Sequence, residues 1–196
     1  MPDRTTRIEL LERALLTGGG VAVGGLVIAA LPDLAGSKPS AAQDAEILNF
    51  ALLLEYVQAG LYDDVLHRKV LTGELREFAE IVGGHERAHI AFIRKALGDK
   101  ARKPPKLDFG DDTGTAQAFT DVALKLEDLG VAAYNAQAPN LTKGALGAAA
   151  RIVSVEARHA SWIRAIAGVT PAPDASEPPA SAERVAATLK GSGYVR

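Results

Sequence analysis

The chain has 196 residues, 47% hydrophobic and 23% charged, enough for one domain with a substantial core. A formal net charge of −2 provides no basic surface, so no nucleic-acid partner is expected. With no cysteine, disulfides and thiolate metal sites are excluded.

Residues 1–37 have the layout of an export signal. Arg4, Arg7 and Arg13 precede an uncharged run from Ala14 to Pro32, followed by Asp33 and the small residues Ala35, Gly36 and Ser37. Five glycines weaken the run as a permanent membrane helix, and Glu9 and Glu12 are atypical beside the basic end. The start TTRIELLERALLTGGG resembles twin-arginine signals, without their adjacent arginine pair. The expectation is a leader that engages export machinery or the membrane, with the protein periplasmic or otherwise extracytoplasmic.

Residues 38–168 read as four helices. The first runs from Asp44 to about Leu66, with Leu48, Leu52, Glu55, Ala59 and Tyr62 on one stripe. The second opens at Thr72 and ends at Gly98, its inward set being Leu75, Phe78, Val82, Glu86, His89 and Ile93. A third, from about Thr115 to Asn135, aligns Thr120, Ala123, Glu127, Val131 and Tyr134. The fourth, from about Thr142 to Ala167, aligns Ala149, Ile152, Glu156, His159, Ile163 and Ile166. Short joins pair helices one with two and three with four as antiparallel hairpins. The 17 residues from Gly98 to Gly114 can span about 50 Å extended, more than the roughly 37 Å of a 25-residue helix. They can therefore cross the length of the bundle. Residues 169–196 form a Pro/Ala-rich tail, expected along the surface, with a short helix near Ala182 to Leu189. Leu53, Leu54 and Val57 on helix one offer apolar area outside the ligand stripe, where the crossover, the tail or a second subunit could sit. A monomer or small oligomer is expected.

The stripes carry the chemistry. Glu86-Arg-Ala-His89 and Glu156-Ala-Arg-His159 repeat one spacing on helices two and four, placing each acid roughly 5–6 Å from its imidazole. Glu55 lies 31 residues before Glu86 and Glu127 lies 29 before Glu156; each single glutamate is followed seven residues later by a tyrosine, Tyr62 or Tyr134. A carboxylate facing a core is costly unless paired. Four inward glutamates, two accompanied by histidine, form the ligand set of a dinuclear carboxylate centre. Two divalent cations would neutralise the four acids, and oxygen and imidazole donors suit iron or manganese. Without them the acids would repel one another and take up protons. The tyrosine hydroxyls are placed to hydrogen-bond ligand carboxylates and orient them. His67 and His85 fall off the inward stripes and read as surface residues; Trp162 and Tyr56 read as interhelical packing. No glycine-rich phosphate loop or dinucleotide fingerprint is present, so no organic cofactor is expected.

EILNFALLLEYVQAGLY, GHERAH, LEDLGVAAYN and VEARHASWI, spread over residues 44–168, resemble the ferritin-like superfamily, particularly its exported bacterial members. The resemblance implies an all-α four-helix bundle of two hairpins joined by a long crossover and binding two Fe or Mn ions. It makes Glu55 and Glu127 single-carboxylate ligands, Glu86 and Glu156 bridging ligands, and His89 and His159 terminal ones. Three activities follow as expectations: oxidation of Fe(II) with reduction of O2 or peroxide, manganese-based dismutation of H2O2, or a structural or stress-related role without turnover. An export-type leader and a Pro-rich tail set the chain apart from cage-forming ferritins.

Overall fold

A computed structural model describes residues 38–176 and 178–196; the expected leader, 1–37, lies outside them. Five α-helices make up the described architecture: α1 (Ala41–Arg68), α2 (Gly73–Leu97), α3 (Ala116–Gln137), α4 (Lys143–Ile166) and α5 (Ala182–Ser192). None of the helices among the described residues is long and apolar enough to cross a membrane. The fold is an all-α bundle, with α1 packed mainly on α2 and α3 mainly on α4.

Local chemistry sets the helix ends. Ser40, Thr115 and Ser181 cap α1, α3 and α5 by accepting hydrogen bonds from the backbone N–H groups of Gln43, Ala118 and Arg184. Lys69, in the left-handed region at φ 58°, stops α1 and turns the chain into α2.

The crossover runs along α1. Near one end of the helix, Asn49 Nδ2 donates to the Lys100 carbonyl at 3.0 Å and Asn49 Oδ1 accepts from the Arg102 backbone N–H at 2.8 Å. At the other end, the Arg68 guanidinium donates to the Gly110 carbonyl at 2.8 Å. Between these ties, Leu107 and Phe109 pack against Gly60, where a Cβ would come within 2.5 Å of Leu107 Cδ1.

The apolar area expected outside the ligand stripe of helix one is covered. Leu53 is half-buried, but Leu54 is 2% exposed and Val57 is fully buried. The helix is surrounded on nearly all sides, so those two residues are core rather than a free apolar face.

The C-terminal segment also differs from a surface tail. The residues from Val169 to Ser176 are exposed. After them, the Ala180 N–H donates to the Ala132 carbonyl, and Val185, Leu189 and Tyr194 are fully buried. Val195 makes an antiparallel bridge to Leu107, pinning the crossover in place. The bundle is thus completed by residues far from its four main helices in sequence.

Candidate metal centre

All four stripes converge at mid-bundle. Glu55, Glu86, Glu127 and Glu156 are each fully buried, and His89 and His159 are 9% and 3% exposed. They form two overlapping quartets, one of Glu55, Glu86, His89 and Glu156 and the other of Glu86, Glu127, Glu156 and His159. Within each quartet, one donor atom per residue lies within 4.8 Å of all the others. Glu86 and Glu156 belong to both. The two glutamates that precede a histidine by three residues are therefore the ones shared between the quartets.

Both imidazoles turn Nδ1 inward. His89 Nδ1 lies 3.2 Å from Glu55 Oε2, 3.3 Å from Glu86 Oε2 and 3.0 Å from Glu156 Oε1. His159 Nδ1 lies 3.0 Å from Glu86 Oε1, 3.5 Å from Glu127 Oε2 and 3.8 Å from Glu156 Oε1. Several of these atoms nevertheless lack a hydrogen bond. Glu86 Oε1, Glu127 Oε2, Glu156 Oε1 and His159 Nδ1 are all buried without a partner. Orphaned polar atoms in an interior are costly, and here they gather in one cluster of hard oxygen and imidazole donors. That donor set fits iron or manganese. Two quartets sharing two carboxylates can chelate metal ions at adjacent positions.

The tyrosines pair across the molecule. Tyr62, on α1, donates to Glu127 Oε1 on α3, while Tyr134, on α3, donates to Glu55 Oε1 on α1. Each hairpin thus orients the other's single glutamate. Tyr62 is itself held edge-on between Phe78 and Phe119, with ring centroids at 5.9 and 5.8 Å. Gly83 makes this possible from α2, because a Cβ there would lie 2.9 Å from Tyr62 Cβ.

Electrostatics in the metal-free cluster follow from burial. It raises Glu55 to about 8, reinforced by the nearby Glu86 carboxyl and opposed by His89. Glu127 and Glu156 are also raised, first by desolvation and then by neighbouring acids. For His89, burial disfavours the charge, but Glu156, Glu55 and Glu86 outweigh it and push the group up to about 12. The same contest, with Glu127 and Glu86 winning over burial, brings His159 to about 10. Desolvation and the adjacent carboxylates hold both tyrosines well above their ordinary range, so they remain hydroxyl donors. Protons thus substitute for cations as the compensating charge.

Two neighbours of the centre escape the periodicity. His85 is exposed, as a surface residue should be, yet its Nδ1 lies 2.9 Å from His159 Nε2. With His159 raised to about 10, both of its ring nitrogens carry a proton: Nδ1–H faces the carboxylates, and Nε2–H donates to His85 Nδ1. Burial and the flanking imidazoles of His159 and His89 lower the pKa of His85, consistent with the neutral acceptor. Its place four residues before His89, one turn along the same helix, is the sequence signal for this contact. The second neighbour is Gln58, 2% exposed, whose Nε2 donates to Glu156 Oε2 at 3.3 Å. Glu55-x-x-Gln58 has the same spacing as the two Glu-x-x-His pairs, which is the only hint of it in the sequence.

His67 is exposed. Trp162 packs edge-on against Phe78 at 5.3 Å and donates from Nε1 to Glu74 at 3.0 Å. The Tyr56 hydroxyl accepts from Arg94 on α2 at 2.8 Å. Both aromatic residues join helices.

A ferritin-like domain profile matches residues 43–169, the greater part of the chain and all four bundle helices. The protein belongs to the ferritin-like domain family. No curated protein matches it.

Proposed function

From its place in the ferritin-like family, we propose that this chain is a dinuclear iron or manganese protein that oxidises Fe(II) or reduces O2 or peroxide. The observation that supports the reading most is the pair of buried quartets sharing Glu86 and Glu156. Glu55 and His89 would hold one cation, Glu127 and His159 the other, with Glu86 and Glu156 serving both. When bound, such a pair supplies two electrons, one from each Fe(II), which with two protons convert O2 to H2O2.

The protein's own groups do the remainder. The crossed tyrosine contacts fix Glu55 and Glu127 by one oxygen each, leaving the other oxygen facing the centre. His89 is oriented by three carboxylates. His159 is oriented on its far side by His85, an exposed residue of α2. Leu52, Phe78, Val82, Phe119 and Ile163, on the four helices that carry the ligands, belong to the buried apolar core of the bundle. Electrostatic attraction inside this core is stronger than in water, and cations bound there would displace the protons that the acids and imidazoles otherwise hold.

Complete burial of the four acids supports a second reading, in which the cations hold the bundle together without turnover. One experiment separates the two. Fe(II) added under air to the metal-free protein should be consumed faster than in buffer, with a diferric absorption band appearing, and Glu86→Ala should remove the increment. Uptake of two ions with no acceleration favours the structural role. An unchanged rate in Glu86→Ala removes the site assignment. H2O2 consumption by manganese-loaded protein tests dismutation in the same way. The reading also carries an extracytoplasmic location through the export-type sequence of residues 1–37, which fractionation of cells expressing the whole chain would test.

A further inference from the structure

The twofold repeat of the sequence is broken at the centre by Gln58. Its counterpart 72 residues later is Gly130. A Cβ on Gly130 would lie 3.3 Å from both Gln58 Nε2 and Glu156 Oε2, closer than side chains ordinarily pack. The side chain missing from one half therefore makes room for the amide of the other. Burial obliges that amide to find an acceptor, and it finds Glu156 Oε2.

The two shared acids consequently face the centre in different ways. Glu86 turns one oxygen toward each imidazole, Oε2 at 3.3 Å from His89 Nδ1 and Oε1 at 3.0 Å from His159 Nδ1. Glu156 presents the single oxygen Oε1 to both, at 3.0 Å from His89 Nδ1 and 3.8 Å from His159 Nδ1. Its Oε2 is engaged by Gln58.

We infer that Gln58 is a positioning residue that restrains Glu156 to serve both cations through Oε1 alone, while Glu86 spans them with two oxygens. The inference rests on the dinuclear reading above. An amide donor on Oε2 fixes the rotation of the carboxylate and reduces that oxygen's availability to a cation. The pair of metal positions is therefore inequivalent, although the six ligands are paired by the repeat. Gly130 is the second half of the device, since a side chain there would crowd both the amide and Oε2.

Manganese(II) titration of the full chain tests this, read by calorimetry and by the electron paramagnetic resonance of the loaded pair. The wild-type chain should take up two ions and show an exchange-coupled signal. Gln58→Met keeps side-chain length and removes the donor. It should still take up two ions, with one binding step weakened roughly tenfold or more and the coupled signal changed, as expected for the loss of a ligand's hydrogen-bonding partner. Gly130→Ala keeps the amide but crowds it, and should change the signal as well. A purely structural role for Gln58 would lower the thermal stability of the metal-free chain and leave both binding steps alone. Wild-type binding steps and signal in Gln58→Met overturn the inference; should that variant fail to fold, an unchanged signal in Gly130→Ala does so. Fewer than two ions in the wild-type chain overturn the dinuclear reading itself, and the inference with it.

Discussion

The hairpins α1–α2 and α3–α4 carry the same chemistry at matching positions, yet neither forms a centre alone. Each contributes a single glutamate, a tyrosine seven residues later and a Glu-x-x-His pair. Each quartet then borrows a carboxylate from the other hairpin, Glu156 joining Glu55, Glu86 and His89, and Glu86 joining Glu127, Glu156 and His159. The tyrosines cross in the same manner. The hairpins also differ beside the centre. Gln58 faces the space left by Gly130, and His85, which backs His159, has Val155 as its counterpart 70 residues on. A repeated ligand frame with unequal surroundings can hold two similar ions in unequal environments.

The largest effect that bears on this comparison is metal removal. If both hairpins close on cations, chelation should lower the melting temperature markedly. A ligand present at a thousand times its Kd stabilises by about 4 kcal/mol per site. The gain should grow with pH. In the metal-free chain Glu55 is raised from 4.5 to about 8 and His159 from 6.5 to about 10. Raised values contribute stability that is full below the ordinary pKa and lost as pH climbs through the folded one. The metal-free chain should therefore melt progressively lower between about pH 4.5 and 8 from Glu55, and further toward about 10 from His159. Metal binding expels those same protons, so affinity should rise across that window. Differential scanning calorimetry with and without chelator measures both. A metal-free chain that gains stability over that range would contradict the electrostatics.

A smaller effect tests how evenly the hairpins lean on each other. Tyr62→Phe and Tyr134→Phe each delete a donor to a buried carboxylate, and each should cost on the order of 1–3 kcal/mol in the metal-free protein. Chemical denaturation reads this directly. Near-equal losses support the crossed pairing. A loss in one variant and none in the other would show that a single hairpin organises the site.

Much of this was legible in the sequence because helices bury every third or fourth residue, and a glutamate on such a stripe requires compensation. Glu55, Glu86, His89, Glu127, Glu156 and His159 announced themselves in that way, and the repeat tied them together. The long crossover was legible from its length alone. What escaped depends on contacts between distant segments. Leu54 and Val57 look exposed when α1 is considered by itself, but both are buried in the packed bundle. Tyr194 enters the core because Val195 bridges to Leu107, a pairing with no local signature. A tyrosine at the right register indicates a carboxylate partner but not which one, so the crossing of Tyr62 to Glu127 and Tyr134 to Glu55 needed coordinates. Gln58 was hidden because a buried amide looks like any polar residue until its acceptor is seen.

The most direct measurement of the central claim is metal stoichiometry, by elemental analysis of chain loaded anaerobically with Fe(II) or Mn(II) and freed of excess. Two ions per chain are expected in the wild type, one in Glu55→Ala and in Glu127→Ala, and fewer than one in Glu86→Ala, which strips a donor from both quartets. A wild-type chain that retains no transition metal, or a Glu86→Ala chain that still retains two ions, would contradict it.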